Sequence, residues 1–158
     1  MICASLEAFA SALPRAAGLA GLDLGTKTIG VAVSDPLLSV ATPLETIRRR
    51  KFTIDAEALW AIVAARGLGG IVLGLPLNMD GSEGPRAQSA RAFARNFAAL
   101  HPLPIAFWDE RLSTVAAERA LLEADTSRAK RAAVIDHVAA GFILQGALDR
   151  LRAMRQDT

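Results

Sequence analysis

Tyrosine is absent, and phenylalanine and tryptophan bring the aromatic share to only 5%, which leaves little for a platform on which bases could stack. Cys3 is the only cysteine. That excludes a disulfide framework and a thiolate metal site, and it fits a reducing cytoplasm. With two histidines in the chain, there is no histidine cluster to hold a soft metal either. Long apolar runs are missing too: the longest candidates, such as Gly67 to Met79, are broken by Gly and Pro, so no uncharged run is long enough to span a bilayer as a helix. The first residues lack a basic start and Glu7 interrupts their apolar stretch, so they do not read as a secretory signal.

What remains is the balance of one folded domain. The chain has 158 residues, 52% hydrophobic and 22% charged, with a formal charge of +2. A pI near 9.2 permits nucleic-acid binding without demanding it. The cations are clustered, as Arg48, Arg49, Arg50 and Lys51 in one run and Arg128, Lys130 and Arg131 in another. Such runs are ordinarily solvated faces.

Ile2, Leu6, Phe9 and Leu13 are spaced for a short amphipathic helix ending before Pro14. Residues 1–18 therefore read as an N-terminal appendage that either packs on the core or recruits a partner. Leu19 to Gly25 and Thr28 to Asp35 have strand composition, and Gly25 to Thr28 have the turn chemistry of a hairpin. Val40 to Arg48 reads as a third strand, with Pro43 favouring an edge or a bulge. Ile54, Ala58, Ile62 and Ala65, with Leu59 beside them, mark a helix over 53–66 that Gly67 stops. The apolar run Gly69 to Leu75 predicts a strand buried on both faces, hence parallel pairing through helical crossovers. A loop containing Asp80-Gly81 leaves its carboxyl end, where open α/β sheets tend to hold ligands. A helix over 85–100 follows, then a strand over 103–108. Ser113 or Thr114 would cap a further helix, and a last helix runs from 131 to about 154. The single domain spans 19–152, with 153–158 as a tail.

Three acids stand out. Asp23 lies inside the first strand, Glu110 closes the last, and Asp136 shares a helical stripe with Ala132, Ala140, Ile143 and Ala147. Brought together they would repel unless a cation neutralised them. Without Cys pairs or a His cluster, that cation is hard and oxygen-loving, Mg²⁺ or Mn²⁺. Carboxylate-held ions of this kind serve phosphoryl transfer. His137, on the adjoining apolar stripe, reads as a core residue or a support for the site.

The order of elements resembles the ribonuclease H-like fold, an α/β arrangement with a central mixed five-stranded sheet, three antiparallel strands then parallel crossovers, flanked by helices. The wording is closer still: Gly21-x-Asp23-x-Gly25-x-Lys27-x-x-Gly30, Gly74-x-Pro76 with Asp80-Gly81, Asp109-Glu110-Arg111-x-Ser113-Thr114, and Ile135-Asp136-x-x-Ala139-Ala140. Over residues 19 to 150 it resembles the YqgF/RuvX family, proposed pre-16S ribosomal RNA nucleases long labelled Holliday junction resolvase homologues. The resemblance implies that Asp23, Glu110 and Asp136 are the metal-binding catalytic acids, with Lys27, Arg111 and Lys130 or Arg131 near the nucleic-acid backbone.

On that reading the chain is a cytoplasmic, metal-dependent nuclease that matures the 5′ end of pre-16S RNA. Asp23 and Asp136 share an ion, Glu110 positions the water or a second ion, and the hairpin turn brings Thr26 and Lys27 up to the phosphate. Arg48, Arg49 and Arg50 contact phosphates, a source of affinity that carries little sequence information. Two other readings stand beside it. One is a resolvase of branched DNA, which favours a homodimer over a monomer; the other is a non-catalytic RNA-binding ribosome-assembly factor. The first motif also resembles the phosphate loop of actin-like sugar kinases, but the chain has no room for their second domain.

Overall fold

The computed structural model describes the backbone of residues 1–112 and 128–156, and the side chains of 1–112 and 137–155. The expected capping by Ser113 or Thr114 and the helix after it lie outside the described residues. Three strands open the sheet: β1 (Leu19–Leu24), β2 (Thr28–Ser34) and β3 (Ala41–Arg48). β1 and β2 form the expected antiparallel hairpin, with Asp23 opposite Gly30. Its turn is closed by the Gly25 N–H donating to the Thr28 carbonyl at 2.8 Å. β3 lies at the sheet edge, and its register against β2 slips between Val31 and Ala32, opposite Glu45 and Pro43. Pro43 lacks a ladder donor, so edge and bulge are where it is tolerated.

α2 (Phe52–Arg66) leads to β4 (Gly70–Leu75), and α3 (Pro85–Leu100) leads to β5 (Ile105–Asp109). Gly67 ends α2 in the left-handed conformation at φ 61°, which a residue with a Cβ adopts at a cost. β4 pairs in parallel with both β1 and β5, giving the order β3-β2-β1-β4-β5. All six β4 residues are buried, as its uninterrupted apolar run requires.

Alternation along β1 sorts two cores. Leu22 and Leu24 join Leu59, Val63, Phe93 and Phe97 under α2 and α3. Leu19 joins Ala140, Ile143, Leu144 and Leu148 of the long helix α4 (Arg128–Gln156) on the other face. Fully burying each of these large apolar side chains contributes about 1.5–3 kcal/mol. On α2 the buried positions are Asp55, Ala56, Leu59 and Val63, while Ile54 is exposed. This corrects the stripe expected from Ile54, Ala58, Ile62 and Ala65. α2 is apolar on most sides, so periodicity could not choose the face. Asp55 is accommodated by accepting the Arg50 N–H at 2.9 Å.

Residues 1–18 pack on the core. The Cys3 N–H donates to the Ile105 carbonyl and the Ile105 N–H to the Met1 carbonyl, both at 2.8 Å, so the chain start covers the free edge of β5. Ile2 therefore sits in an extended bridge and not in the helix its spacing suggested. α1 (Leu6–Ala12) begins only after Ser5, whose hydroxyl accepts the Ala8 N–H, and it buries Phe9. Ser34-Asp35 has a structural task as well. Asp35 accepts the N–H groups of Val40, Ser39 and Leu37, which hold its carboxyl below the usual range, that of Val40 above all.

α4 can lie against β1 because Gly21 has no side chain. A Cβ there would stand 2.6 Å from Leu144 Cβ and 3.1 Å from the Ala140 carbonyl oxygen. Neither atom can swing away. Gly21→Ala should therefore destabilise the fold by about 1–3 kcal/mol, the usual cost of overpacking. Urea unfolding measures this, and an unchanged midpoint would mean that α4 moves off the sheet at no cost.

Candidate active site

The parallel strands β1, β4 and β5 bring three carboxyl ends to one edge of the sheet. Asp23, next to last in β1, is only 5% exposed. Directly paired residues share a face, so Gly30, its partner on β2, leaves the flank of Asp23 bare of side chain. Gly74, one step beyond the Leu22–Leu73 pair, does the same from β4. The carboxylate thus stands in a trough floored by two glycines. Adjacent strands are about 4.8 Å apart, so the position over Gly74 is immediately beside it.

Glu110 occupies that position. It begins a single 3₁₀ turn, Glu110–Leu112, directly after β5. A Cβ on Gly74 would lie 3.5 Å from the Glu110 carboxyl carbon and 2.6 Å from Ile143 Cδ1. Any side chain at 74 would collide with Ile143 of α4, so glycine is what lets Ile143 and Glu110 pack over β4 together. Two of the three acids marked in the sequence therefore meet on the α4 face of the sheet.

The third is placed by the backbone of α4. This helix runs antiparallel to β3, with Gln145 Oε1 accepting the Ala41 N–H at 2.8 Å, Gly141 over Pro43, and His137 Nδ1 hydrogen-bonded to Thr46 Oγ1 at 3.0 Å. Thr46 pairs with Gly30, which pairs with Asp23. His137 and its neighbour Asp136 thus lie at the level of the sheet row that contains Asp23. His137 is half-buried and ties α4 to β3 at that level. Asp23 and Glu110 supply oxygen donors only, the chemistry suited to a hard divalent cation. The carboxylates present fit a hard divalent cation.

Around the acids the predicted contact residues separate. Thr26 and Lys27 are exposed at the β1–β2 turn, and Arg48 and Arg50 are exposed beside it. Arg49 is half-buried, its Nη1 donating to the Gly25 carbonyl at 2.7 Å. Arg111 is engaged within the protein: it grips Asp109 through Nε at 3.1 Å and Nη2 at 2.8 Å, and Nη1 donates to the Met79 carbonyl at 3.3 Å. The hydrogen bond from Arg111 holds the Asp109 carboxyl below its usual range, and Asp109 in turn raises the guanidinium. Through Met79, Arg111 braces the loop after β4. That loop is bonded to itself by Asp80, whose Oδ1 accepts the Ser82 hydroxyl at 2.6 Å and its N–H at 2.9 Å. These bonds, the hydroxyl first, keep Asp80 below the usual carboxylate range. The side chains of Lys130, Arg131 and Asp136 lie outside the described residues.

Sequence reasoning missed one feature. A cleft of about 480 Å³ opens between the β1–β2 turn and the starts of α2 and α3, lined by Thr26, Arg49, Arg50, Arg86 and Ser89. Pro85 at the first position of α3 was the available signal: a helix starting just after a strand's carboxyl end sets its first side chains at the ligand-holding edge.

Comparison with known proteins agrees with this layout. A family model described as "RuvX: Holliday junction resolvase" matches residues 17–150, which include all five strands. Curated relatives carry the name "Putative pre-16S rRNA nuclease". That of Paracoccus denitrificans is 75% identical and covers 96% of both chains. That of Rhodobacter capsulatus is 72% identical over 96% of this chain and 95% of its own. Among solved structures, Thermus thermophilus RuvC in complex with Holliday junction substrate superposes with a TM-score of 0.53 at 10% identity, covering 89% of this chain and 96% of that one. A second Thermus thermophilus RuvC structure gives 0.52 at 12% identity, over 88% and 96%. These likenesses show the ribonuclease H-like fold expected from the order of elements, and on its sequence the chain belongs to the RuvX family.

Proposed function

We propose that this chain is a divalent-metal-dependent nuclease that hydrolyses a phosphodiester bond in maturing the 5′ end of pre-16S ribosomal RNA. The observation that carries the reading is Asp23, 5% exposed between two glycines, with the Glu110 carboxyl beside it over Gly74. The names of relatives more than 70% identical support it. Asp23, Glu110 and Asp136 would hold Mg²⁺ or Mn²⁺, which when bound lowers the pKa of water and offsets charge developing on the phosphate.

The chain's own residues do the positioning. Pairing with Gly30 on β2, one residue beyond the last β1–β4 pair, fixes Asp23, and the short turn after β5 delivers Glu110 at a set height. Thr26 and Lys27, at the tip of the β1–β2 turn, bind and orient the phosphate from above. Arg48, Arg49, Arg50, Lys130 and Arg131 supply the cationic surroundings of the strand. Arg111, locked to Asp109, works through the loop it braces. The family model's description favours a second substrate, a four-way DNA junction, cut by two copies of the chain with the same acids.

One assay tests both. Labelled precursor RNA and a four-way DNA junction are each incubated with Mg²⁺, Mn²⁺ or chelator. Wild type should cut the RNA with metal only. Asp23→Asn, Glu110→Gln and Asp136→Asn should each cut about 100-fold more slowly or worse, the scale of losing one preorganised electrostatic group. Retained RNA affinity with no cleavage under any metal would leave an assembly factor; cutting confined to the junction would move the substrate to DNA.

The Asp109–Arg111 pair has a pH signature. The folded-state pKa of Asp109 is depressed below 3.8, so its contribution is complete above the unfolded value and disappears as pH falls through the folded one. The pair is partly exposed, which limits it to about 0.2–1 kcal/mol. Asp109→Asn should be less stable than wild type by that amount at pH 7, and the gap should close in strong acid. Urea midpoints at the two pH values measure it, and a gap of equal size in acid would contradict the assignment.

A further inference from the structure

We propose that the cleft lined by Thr26, Arg49, Arg50, Arg86 and Ser89 is a phosphate subsite for the nucleotide next to the scissile bond, so that the substrate strand crosses over the β1–β2 turn. The assignment rests on the nuclease reading and names a binding element on the other side of the turn from the acids. Leu24 and Gly25 line the cleft and follow Asp23 directly, within about 7 Å of extended chain. Yet Leu24 faces the core under α2 and α3, whereas Glu110 sits on the α4 face beside Gly74. The turn separates the two.

Three guanidiniums at one cleft need an anion. Arg49 Nη1 donates to the Gly25 carbonyl at 2.7 Å and Arg86 Nη2 to the Leu24 carbonyl at 3.3 Å. Each bond uses one of the five donors that a guanidinium carries, and it orients the planar group at the cleft wall without neutralising it. Among the described residues, no carboxylate forms an ion pair with Arg49, Arg50 or Arg86. Asp55, the nearest acid in sequence to Arg50, is buried and spent on the backbone N–H of Arg50. Planar forks of this kind match phosphate oxygens in pairs, and the hydroxyls of Thr26 and Ser89 complete a polar lining. About 480 Å³ accommodates one nucleotide-sized group.

The test measures binding where no cutting can occur. Anisotropy of a labelled single-stranded RNA oligonucleotide is titrated in chelator across salt concentrations, with wild type, Arg50→Ala and Arg86→Ala. The comparison variant is Arg95→Ala, which removes an exposed charge from α3 away from the cleft. Losing one phosphate contact should weaken binding about fivefold at 0.1 M salt and lower the log–log salt slope by about 0.7. That is expected for Arg50→Ala and Arg86→Ala and not for Arg95→Ala. With metal present, the same two variants should raise KM for precursor RNA and leave kcat unchanged. The subsite is overturned if Arg86→Ala binds no differently from Arg95→Ala. It is also overturned if adenosine monophosphate binding is lost in Arg86→Ala while the oligonucleotide binds as before, since the cleft then serves a free nucleotide. Absence of cleavage by wild type under every metal would sink the nuclease reading alone, because affinity and slope are read without it.

Discussion

The approach of α4 to the sheet is the constraint on which the site depends. At the closest point Gly21 replaces a side chain with the backbone of Ala140 and the Cβ of Leu144. Gly146 admits the Trp108 ring, and Gly141 admits Pro43. Small residues on both surfaces let one helix lie over β1, β2 and β3 with Ala140, Ile143, Leu144, Ala147 and Leu148 fully buried. The polar ties at Gln145 and His137 then set its height along β3. If α4 stood farther off, its backbone at 136 would leave the row of Asp23.

The carboxyl edge divides electrostatically around the β1–β2 turn. Asp23 and Glu110 lie on the α4 face, and guanidiniums collect at the starts of α2 and α3. Opposite charges so near would collapse into ion pairs if their side chains could meet. Strand alternation prevents it, because Asp23 and Leu24 point to opposite faces. The sheet itself keeps the acid groups on one side of the turn and the basic groups on the other. Arg111 lies outside this division, bound to Asp109 and to the loop after β4, so it shapes the rim through neighbours.

The features legible in the sequence were those set by local chemistry. The Gly25–Thr28 turn, the stop at Gly67, the buried run of β4, the edge position of Pro43 and the start of α3 at Pro85 each follow from one or two residues and their conformational limits. The anomaly of Asp23 was legible for the same reason, since a carboxylate among strand residues needs a cause wherever the strand lies. The inner face of α2 was not legible, because Leu59, Trp60, Ile62 and Val63 offer apolar surface in nearly every direction and only the sheet selects among them. Ile2 misled because its spacing fits a helix, while the free edge of β5 offers backbone partners that draw it into an extended bridge.

By itself, then, the sequence determined the order of the described elements, the hairpin and the anomaly of Asp23, with the oxygen-only chemistry open to it, because each rests on a residue type or on a spacing within one element. Tertiary structure decided which groups meet. It set Glu110 over Gly74, brought the level of Asp136 to the row of Asp23, spent Arg111 on Asp109, and assembled Arg49, Arg50 and Arg86 from two segments into one cleft. Those pairings depend on strand register and on the distance at which a helix can pack, and both are fixed only when residues far apart in the chain compete for the same space.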